Sequence, residues 1–317
     1  MPEVVEVCLT AIFLESKLKN TNIVDIIIHG GRYKRHGMPD LNNFKKNLPM
    51  KIEKIDSHGK FMWFELSNKK QTMYIMNTFG LEGEWGFTKQ KHSNVEFVIK
   101  KDNKTRSLYF TDSRNFGTIN ITDSGKQFCD KYNILAPDLL KTDFTNAEFY
   151  NRVKNYILDN NGNILKQRAN KEIIKILMTQ NIPMSLGSGL GNYLSVEVLY
   201  RARISPHTKM LQLYSNRTLC NRIAQSIRFV TKLSFMTASI GYLEHLDPKM
   251  DKFIKNLRSS INGNKNHKYN FHPSVKINKE VFKFKVYKQK NDPKGNKVKA
   301  DKIISGRTTY WVPNIQK

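Results

Sequence analysis

Closely spaced cysteines are what this sequence most clearly lacks. It holds three, Cys8, Cys129 and Cys220, odd in number and with no CxxC pair. Neither a disulfide framework nor a four-thiolate metal site is expected, and a reducing, intracellular setting follows. No apolar run reaches the roughly 18 residues a membrane-spanning helix needs. The opening Met1-Pro2-Glu3 has no basic region followed by an apolar core, so no secretory signal is expected. No repeat period is visible either. Acid is scarce: 27 Asp and Glu stand against 53 Lys and Arg, a formal net charge of +26. Self-repulsion of that size is best tolerated when a polyanion neutralises it, and nucleic acid is the usual one. A hydrophobic content of 39% and an aromatic content of 11% argue for a globular fold rather than a basic tail, and 317 residues leave room for two domains.

Periodicity divides the chain. Over residues 2–19, Val4, Cys8, Leu9, Ile12 and Phe13 recur at spacings of three and four, the pattern of an amphipathic helix with Glu3 in its first turn. Residues 22–121 change to short β-branched and aromatic runs at 23–28, 61–66, 73–76, 95–99, 107–110 and 118–121. Gly, Asn, Asp and Lys separate them at hairpin spacing, which predicts an antiparallel sandwich or barrel. Residues 123–140 are less regular, with a break at Pro137. Helical periodicity returns at 146–158, 164–179, 191–203 and around 215–230. Residues 256–268 read as a polar, basic, mobile loop. In the tail, Val281, Phe284, Val286 and Tyr287, then Ile303, Ile304, Tyr310 and Val312 beyond a basic turn, predict a β-hairpin.

Four pieces carry chemistry. Removal of Met1 would leave Pro2 with a secondary amine, whose unperturbed pKa is about 8. A neutral amine of that kind attacks an aldehyde-like carbon and forms an iminium, with Glu3 placed to move protons. On its own, Pro2 reads more readily as the first residue of a helix. Gly59-Lys60 sets a turn ahead of a strand, from which Lys60 would reach a phosphate or sugar. In GLGNYLSVEVLYRARISP, residues 189–206, a glycine-rich turn leads into a helix at Asn192, where backbone N–H groups and the Asn192 amide would cradle a phosphate. In ISGRTTYWVPNIQK, residues 304–317, Arg307 stands at a turn between aromatic strand residues, a geometry suited to phosphate.

In their order along nearly the whole chain, these pieces resemble the formamidopyrimidine-DNA glycosylase / endonuclease VIII family. Pro2-Glu3 with Glu6 is similar to its N-terminal signature, HGKF at 58–61 to its β-domain lysine, GNYLSVEVLYRARISP to its helix–two-turn–helix, and GRTTYWVP to the end of its C-terminal finger. The resemblance implies an α+β protein with four parts. They are an N-terminal helix and antiparallel β-sandwich (1–125), a linker (126–145), a helical domain with the helix–two-turn–helix (146–274) and a β-hairpin finger (275–317). It implies a bifunctional glycosylase and AP lyase of base excision repair, with Pro2 as the Schiff-base nucleophile, Glu3 protonating the opened sugar and Lys60 contacting DNA. Asn192 and Arg307 would hold phosphates flanking a flipped nucleotide, and Leu81, Arg114 and Phe116 would fill the void it leaves. Many members bind zinc through four finger cysteines. Here Val312 and Ile315 stand where the last CxxC would be and Lys294-Gly295-Asn296-Lys297 near the first, so a zincless finger is expected, with no metal and no cofactor. Oxidised pyrimidines are the expected substrates, since zincless members lie on the endonuclease VIII side. No counterpart of the glycine-rich lesion-capping loop of the purine-specific branch is visible between Phe229 and Tyr242. Damaged DNA, single- or double-stranded, is the expected partner of a monomer with no membrane association. The competing reading is a non-catalytic sensor of damaged or branched DNA on the same scaffold; a retained Met1 would favour it.

Overall fold

The computed structural model describes residues 2–239 and 250–317. Whether Met1 is retained, and residues 240–242 of the interval in which a capping loop was sought, lie outside the described residues. The chain forms two compact units. One comprises residues 2–133 with 239 and 250–263; the other comprises 134–238 with 264–317.

The first unit opens with α1 (Val4–Leu18) and continues through β1 (Asn22–Ile28), α2 (Gly31–His36), α3 (Leu41–Lys46), β2 (Met50–His58), β3 (Phe61–Ser67), β4 (Thr72–Thr78), β5 (Glu84–Gly86), β6 (Ser93–Lys101), β7 (Lys104–Thr111), β8 (Thr118–Thr122) and α4 (Gly125–Asn133). The eight strands form one antiparallel sheet in the order β5-β7-β6-β1-β2-β3-β4-β8. It is not closed, and β5 and β8 are its edges. The two halves meet through aromatic side chains, as the two layers of a sandwich do. Trp85 of β5 lies 5.3 Å from Phe64 of β3, 5.0 Å from Phe110 and 5.8 Å from Phe97, ring centre to ring centre. Its indole N–H donates to Asn77 Oδ1 at 3.0 Å, so the polar end of a buried tryptophan is satisfied.

Helix α1 packs on β2 and β3. Residues 4–14 are all buried, so the helix is enclosed on every side rather than along one stripe. Strand β2 escaped the sequence reading because Lys, Glu, Asp and Ser interrupt its apolar alternation. Helix α4 lies within the stretch expected to be irregular. Its Phe128 stacks on Tyr74 at 4.4 Å and its Tyr132 meets Trp63 edge-on at 5.6 Å. Two aromatic residues one turn apart, in an otherwise polar segment, carry that contact.

The expected loop at 256–268 is largely helical: α11 spans Asp251–Gly263. It buries Ile254, Leu257 and Ile261, and Phe253 meets Phe13 of α1 at 5.4 Å. Apolar residues at spacings of three and four persist beneath a Lys/Asn surface that masked them.

The second unit holds α5 (Asn146–Ile157), α6 (Lys166–Ala169), α7 (Ile173–Leu177), α8 (Asn192–Ala202), α9 (Met210–Ser215), α10 (Arg217–Thr237) and the hairpin β9 (Lys299–Ile304)–β10 (Arg307–Trp311). Helix α10 packs on α5 and α8. The single helix expected over 164–179 is broken into α6 and α7, because the backbone near 172 bonds elsewhere. Ile173 N–H donates to Thr208 O at 2.8 Å and Met210 N–H to Lys171 O at 3.0 Å. The C-terminal hairpin is present but shorter than predicted. It turns at Ser305-Gly306, and residues 281–287 form no strand.

Candidate active site and nucleic-acid interface

Pro2 lies just outside α1 rather than at its first helical position, and Glu3 is the N-cap. Glu3 and Glu6 form a capping box, with the Glu3 N–H donating to Glu6 Oε2 at 3.1 Å. Pro2 is buried, and Glu3 and Glu6 are 1% and 3% exposed. Two carboxylates thus gather within a turn of Pro2, at the start of an enclosed helix. Lys60 occupies the β2–β3 turn, where Gly59 takes φ +58°, a left-handed conformation suited to glycine. It is half-buried, and the strands on either side of it are those α1 packs against.

The structure brings Leu81, Arg114 and Phe116 together. Gly80 ends the β4 turn at φ +65°, and a Cβ there would meet the Gly117 backbone nitrogen at 2.4 Å; only glycine lets the two loops touch so closely. Glu82 ties them, pairing with Arg114 Nε at 2.9 Å and accepting from the Ser113 hydroxyl. Asp112, 2% exposed, shapes the second loop from inside. Its carboxylate takes Arg114 N–H at 3.2 Å and Gly117 N–H at 2.7 Å, while Asn94 donates to its carbonyl at 2.8 Å. Phe116 is left 60% exposed and Leu81 half-buried. An aromatic ring that open contributes little to the core.

In the second unit, the turn before α8 is built by Gln180, whose amide donates to Leu190 O at 3.0 Å and accepts from Gly189 N–H at 2.7 Å. Gly191 is the N-cap, so Asn192 is the first helical residue rather than the cap. Its side-chain Nδ2 donates to Thr308 O at 3.0 Å, beside Arg307. Arg307 begins β10, half-buried, with no carboxylate pairing with it among the described residues. These two predicted phosphate ligands therefore share one small region. Arg201 is engaged within the fold, its guanidinium 3.2 Å from the centre of the Phe229 ring.

The finger contains polar attachments that sequence reasoning missed. Glu197 of α8, 4% exposed, accepts backbone N–H bonds from Lys285, Val286 and Tyr287. The Tyr200 hydroxyl donates to Asp292 at 2.9 Å, and Asp292 in turn accepts N–H bonds from Lys294 and Asn296. Burial and the Asp292 charge push the Tyr200 phenol up to about 12.

The donor set at the finger does not fit a zinc ion. Val312 and Ile315 offer no ligand atoms, and among the described residues no three His, Cys, Asp or Glu gather as a metal site. His272 is 1% exposed and held by Asp143 at 3.1 Å and Leu139 O at 3.0 Å, as a satisfied core histidine. Among the described residues no helix is long and apolar enough to cross a membrane.

These features define a two-unit, strongly basic α+β protein whose buried N-terminal helix and C-terminal hairpin carry the candidate groups. Comparison with known proteins makes the assignment specific. The formamidopyrimidine-DNA glycosylase N-terminal domain model matches residues 1–119 and the C-terminal domain model residues 273–317. The formamidopyrimidine-DNA glycosylase of Oceanobacillus iheyensis is 27% identical over 240 residues, covering 70% of this chain and 77% of that protein. The Fpg crystal structure from Thermus thermophilus aligns with a TM-score of 0.70 at 19% identity, over 99% of this chain and 98% of that one. Lactococcus lactis Fpg, in complex with DNA containing an abasic site, aligns with a TM-score of 0.69 at 19% identity over 99% of each chain. The chain belongs to the formamidopyrimidine-DNA glycosylase / endonuclease VIII family.

Proposed function

We propose that this protein is a bifunctional DNA glycosylase and AP lyase that excises oxidised bases, pyrimidines foremost, from damaged DNA. The observation that carries the reading is the start of α1: a proline next to two buried carboxylates on a helix that is itself enclosed. The Pro2 amine, freed of Met1, attacks C1′ of an everted nucleotide as the bond from C1′ to the base breaks. Glu3 passes the proton shed by the amine to the ring oxygen of the opening sugar, leaving an iminium between Pro2 and C1′, and the departing base takes a proton from water. That cation draws electrons from the C2′–H bond. Loss of the C2′ proton expels the 3′ phosphate, and a second elimination expels the 5′ phosphate. Lys60 contacts the DNA near the lesion, and Asn192 and Arg307 hold phosphates flanking it. Leu81, Arg114 and Phe116 enter the stack where the nucleotide has left.

The zincless finger supports the pyrimidine preference, since such members stand on the endonuclease VIII side of the family. Borohydride trapping on duplex DNA containing an oxidised pyrimidine tests the mechanism. Wild type lacking Met1 is expected to form a covalent adduct, a form retaining Met1 is not, and Pro2→Gly, with a primary amine in place of the ring nitrogen, is expected to trap less. Equal trapping by all three, or none by wild type, rejects Pro2 as the nucleophile and leaves a DNA-binding sensor as the better reading.

A further inference from the structure

We infer that Glu197 is a positioning residue for DNA binding: its carboxylate pins the finger to α8 and thereby sets the place of Arg307 relative to Asn192. The inference rests on the proposed phosphate contacts of those two residues, and deepens that reading.

Asn192, Glu197 and Tyr200 of α8 each hydrogen-bond to the finger. Asn192 bonds to Thr308 O, Glu197 receives residues 285–287, and Tyr200 holds Asp292. At about 100° per residue they fall within an arc of roughly 140°, one side of the helix. The middle attachment is the most demanding. Glu197 Oε1 accepts Lys285, Val286 and Tyr287 N–H, each at 3.0 Å, and Oε2 accepts Lys285 N–H at 3.1 Å. Three consecutive amides converge on one carboxylate, an arrangement that binds anions strongly. Both oxygens of the side chain take part, which no amide reproduces. An amide in place of the carboxylate would turn an NH₂ toward one of those donors, and a methyl group would leave buried N–H groups unpaired.

The pin reaches Arg307 through packing. The Tyr287 ring meets Tyr310 of β10 edge-on at 5.6 Å, and Tyr193 of α8 lies 6.1 Å from Tyr287 and 5.5 Å from Phe284. Tyr310 is three residues from Arg307 on a five-residue strand. Holding residues 285–287 therefore fixes the strand that carries Arg307, while Asn192 grips the same strand at Thr308. A side chain that touches no DNA would govern the spacing of two that do.

The experiment measures binding of a duplex carrying a non-cleavable abasic-site analogue, alongside single-turnover cleavage at saturating DNA. Glu197→Gln is expected to weaken affinity by about tenfold or more, with the saturated cleavage rate within about twofold of wild type. Glu197→Asp should recover part of the affinity. In an Arg307→Ala background, Glu197→Gln should cost little more, because the residue it positions is gone. Circular dichroism establishes that each variant folds. Tyr200→Phe, a milder cut of the neighbouring attachment, should move affinity in the same direction if Glu197→Gln does not fold. Unchanged affinity in foldable variants, losses that add fully with Arg307→Ala, or an Arg307→Ala protein that binds like wild type would overturn the inference. So would an equal loss of affinity from Ile227→Ala, a core truncation on α10. Failure of the wild type to trap covalently would reject the lyase reading alone, since this test is read in binding.

Discussion

The eight-stranded sheet and the C-terminal finger solve the same problem, holding a candidate group still, by opposite means. The sheet encloses Trp85, Phe64, Phe97 and Phe110 between its halves and buries α1 along nearly its whole length. The finger is a two-stranded ribbon with an irregular arm, too small to bury a core of its own. It is fastened by charged and polar side chains to a helix: Glu197 to residues 285–287, Tyr200 to Asp292, Asn192 to Thr308. Burial is non-directional and tolerates approximate packing, whereas amide–carboxylate bonds are directional and fail when one partner goes. The sheet should therefore lose stability in proportion to the volume removed, and the finger should lose position more than stability.

Trp85→Ala should have the largest effect, about 3–5 kcal/mol, because it empties the centre of the sheet and leaves Asn77 without its indole partner. Urea unfolding measures it; a loss under about 1 kcal/mol would mean the two halves hold without their aromatic centre. Asp292→Ala comes next, at about 1–3 kcal/mol. Partial burial pushes the Asp292 carboxyl up, but bonds from Asn296 and Tyr200 more than offset this and hold it below the ordinary carboxylate range. Its signature is local: amides near 292–296 should exchange faster with solvent while those of β2–β4 keep their protection. A uniform rise across both units would erase the contrast between a fastened finger and a cored sheet.

That contrast also explains what could be read from the sequence. Strands rich in Val, Ile, Phe and Tyr announced themselves by composition, and the helix expected at residues 146–158 by its period. The Pro2-Glu3 start, the glycine-rich turn at 187–191 and the Gly-Arg-Thr-Thr-Tyr-Trp ending were legible as motifs. Strand β2 and helices α4 and α11 were not, because the few residues that pack inward are diluted by polar and charged neighbours. The finger's attachments were less visible still. Glu197 looks like any helical glutamate until residues 285–287 fold onto it, and Asp292 like a loop aspartate until Tyr200 arrives from 92 residues away. Pairings of that separation leave no periodic trace. The predicted arm at 281–287 is an instance: its alternation is real, but Glu197 takes the amides of 285–287 and the Thr237 hydroxyl that of Phe282, where a partner strand would have stood.

A weaker kind of attachment separates the two regimes further. Glu172, next to α7, is held by Lys209 Nζ at 2.6 Å and Lys175 Nζ at 2.9 Å, and bonding to Lys209 leads in lowering its pKa from 4.5 to about 2. An acid whose folded pKa is depressed adds stability that is present above its unfolded value and lost as protons bind the folded form. The contribution should therefore be complete above pH 4.5 and disappear as pH falls toward 2. Glu172→Gln should cost about 1 kcal/mol or less at neutral pH and flatten the acid limb of stability against pH. An unchanged acid limb would assign the loss of stability there to other carboxylates.

The smallest change in stability should come from Phe116→Ala, and it bears most directly on function. Phe116 is 60% exposed on a loop whose shape is fixed by Asp112 and Gly117, so removing its ring should alter unfolding free energy by no more than about 0.5 kcal/mol. The sheet does not need the ring, yet its loop is held against the Leu81 turn by Glu82 and by a glycine contact that admits no side chain. The proposed role of such an exposed apolar ring is to fill the gap left by an everted base. Cleavage of lesion-containing duplex should fall about tenfold or more, while cleavage of the same lesion in single-stranded DNA, where no opposite strand closes the gap, should fall less. Equal losses on both substrates would make Phe116 a general contact. A loss of stability near that of a buried phenylalanine would make it part of the core, and the loop would then belong to the sheet alone.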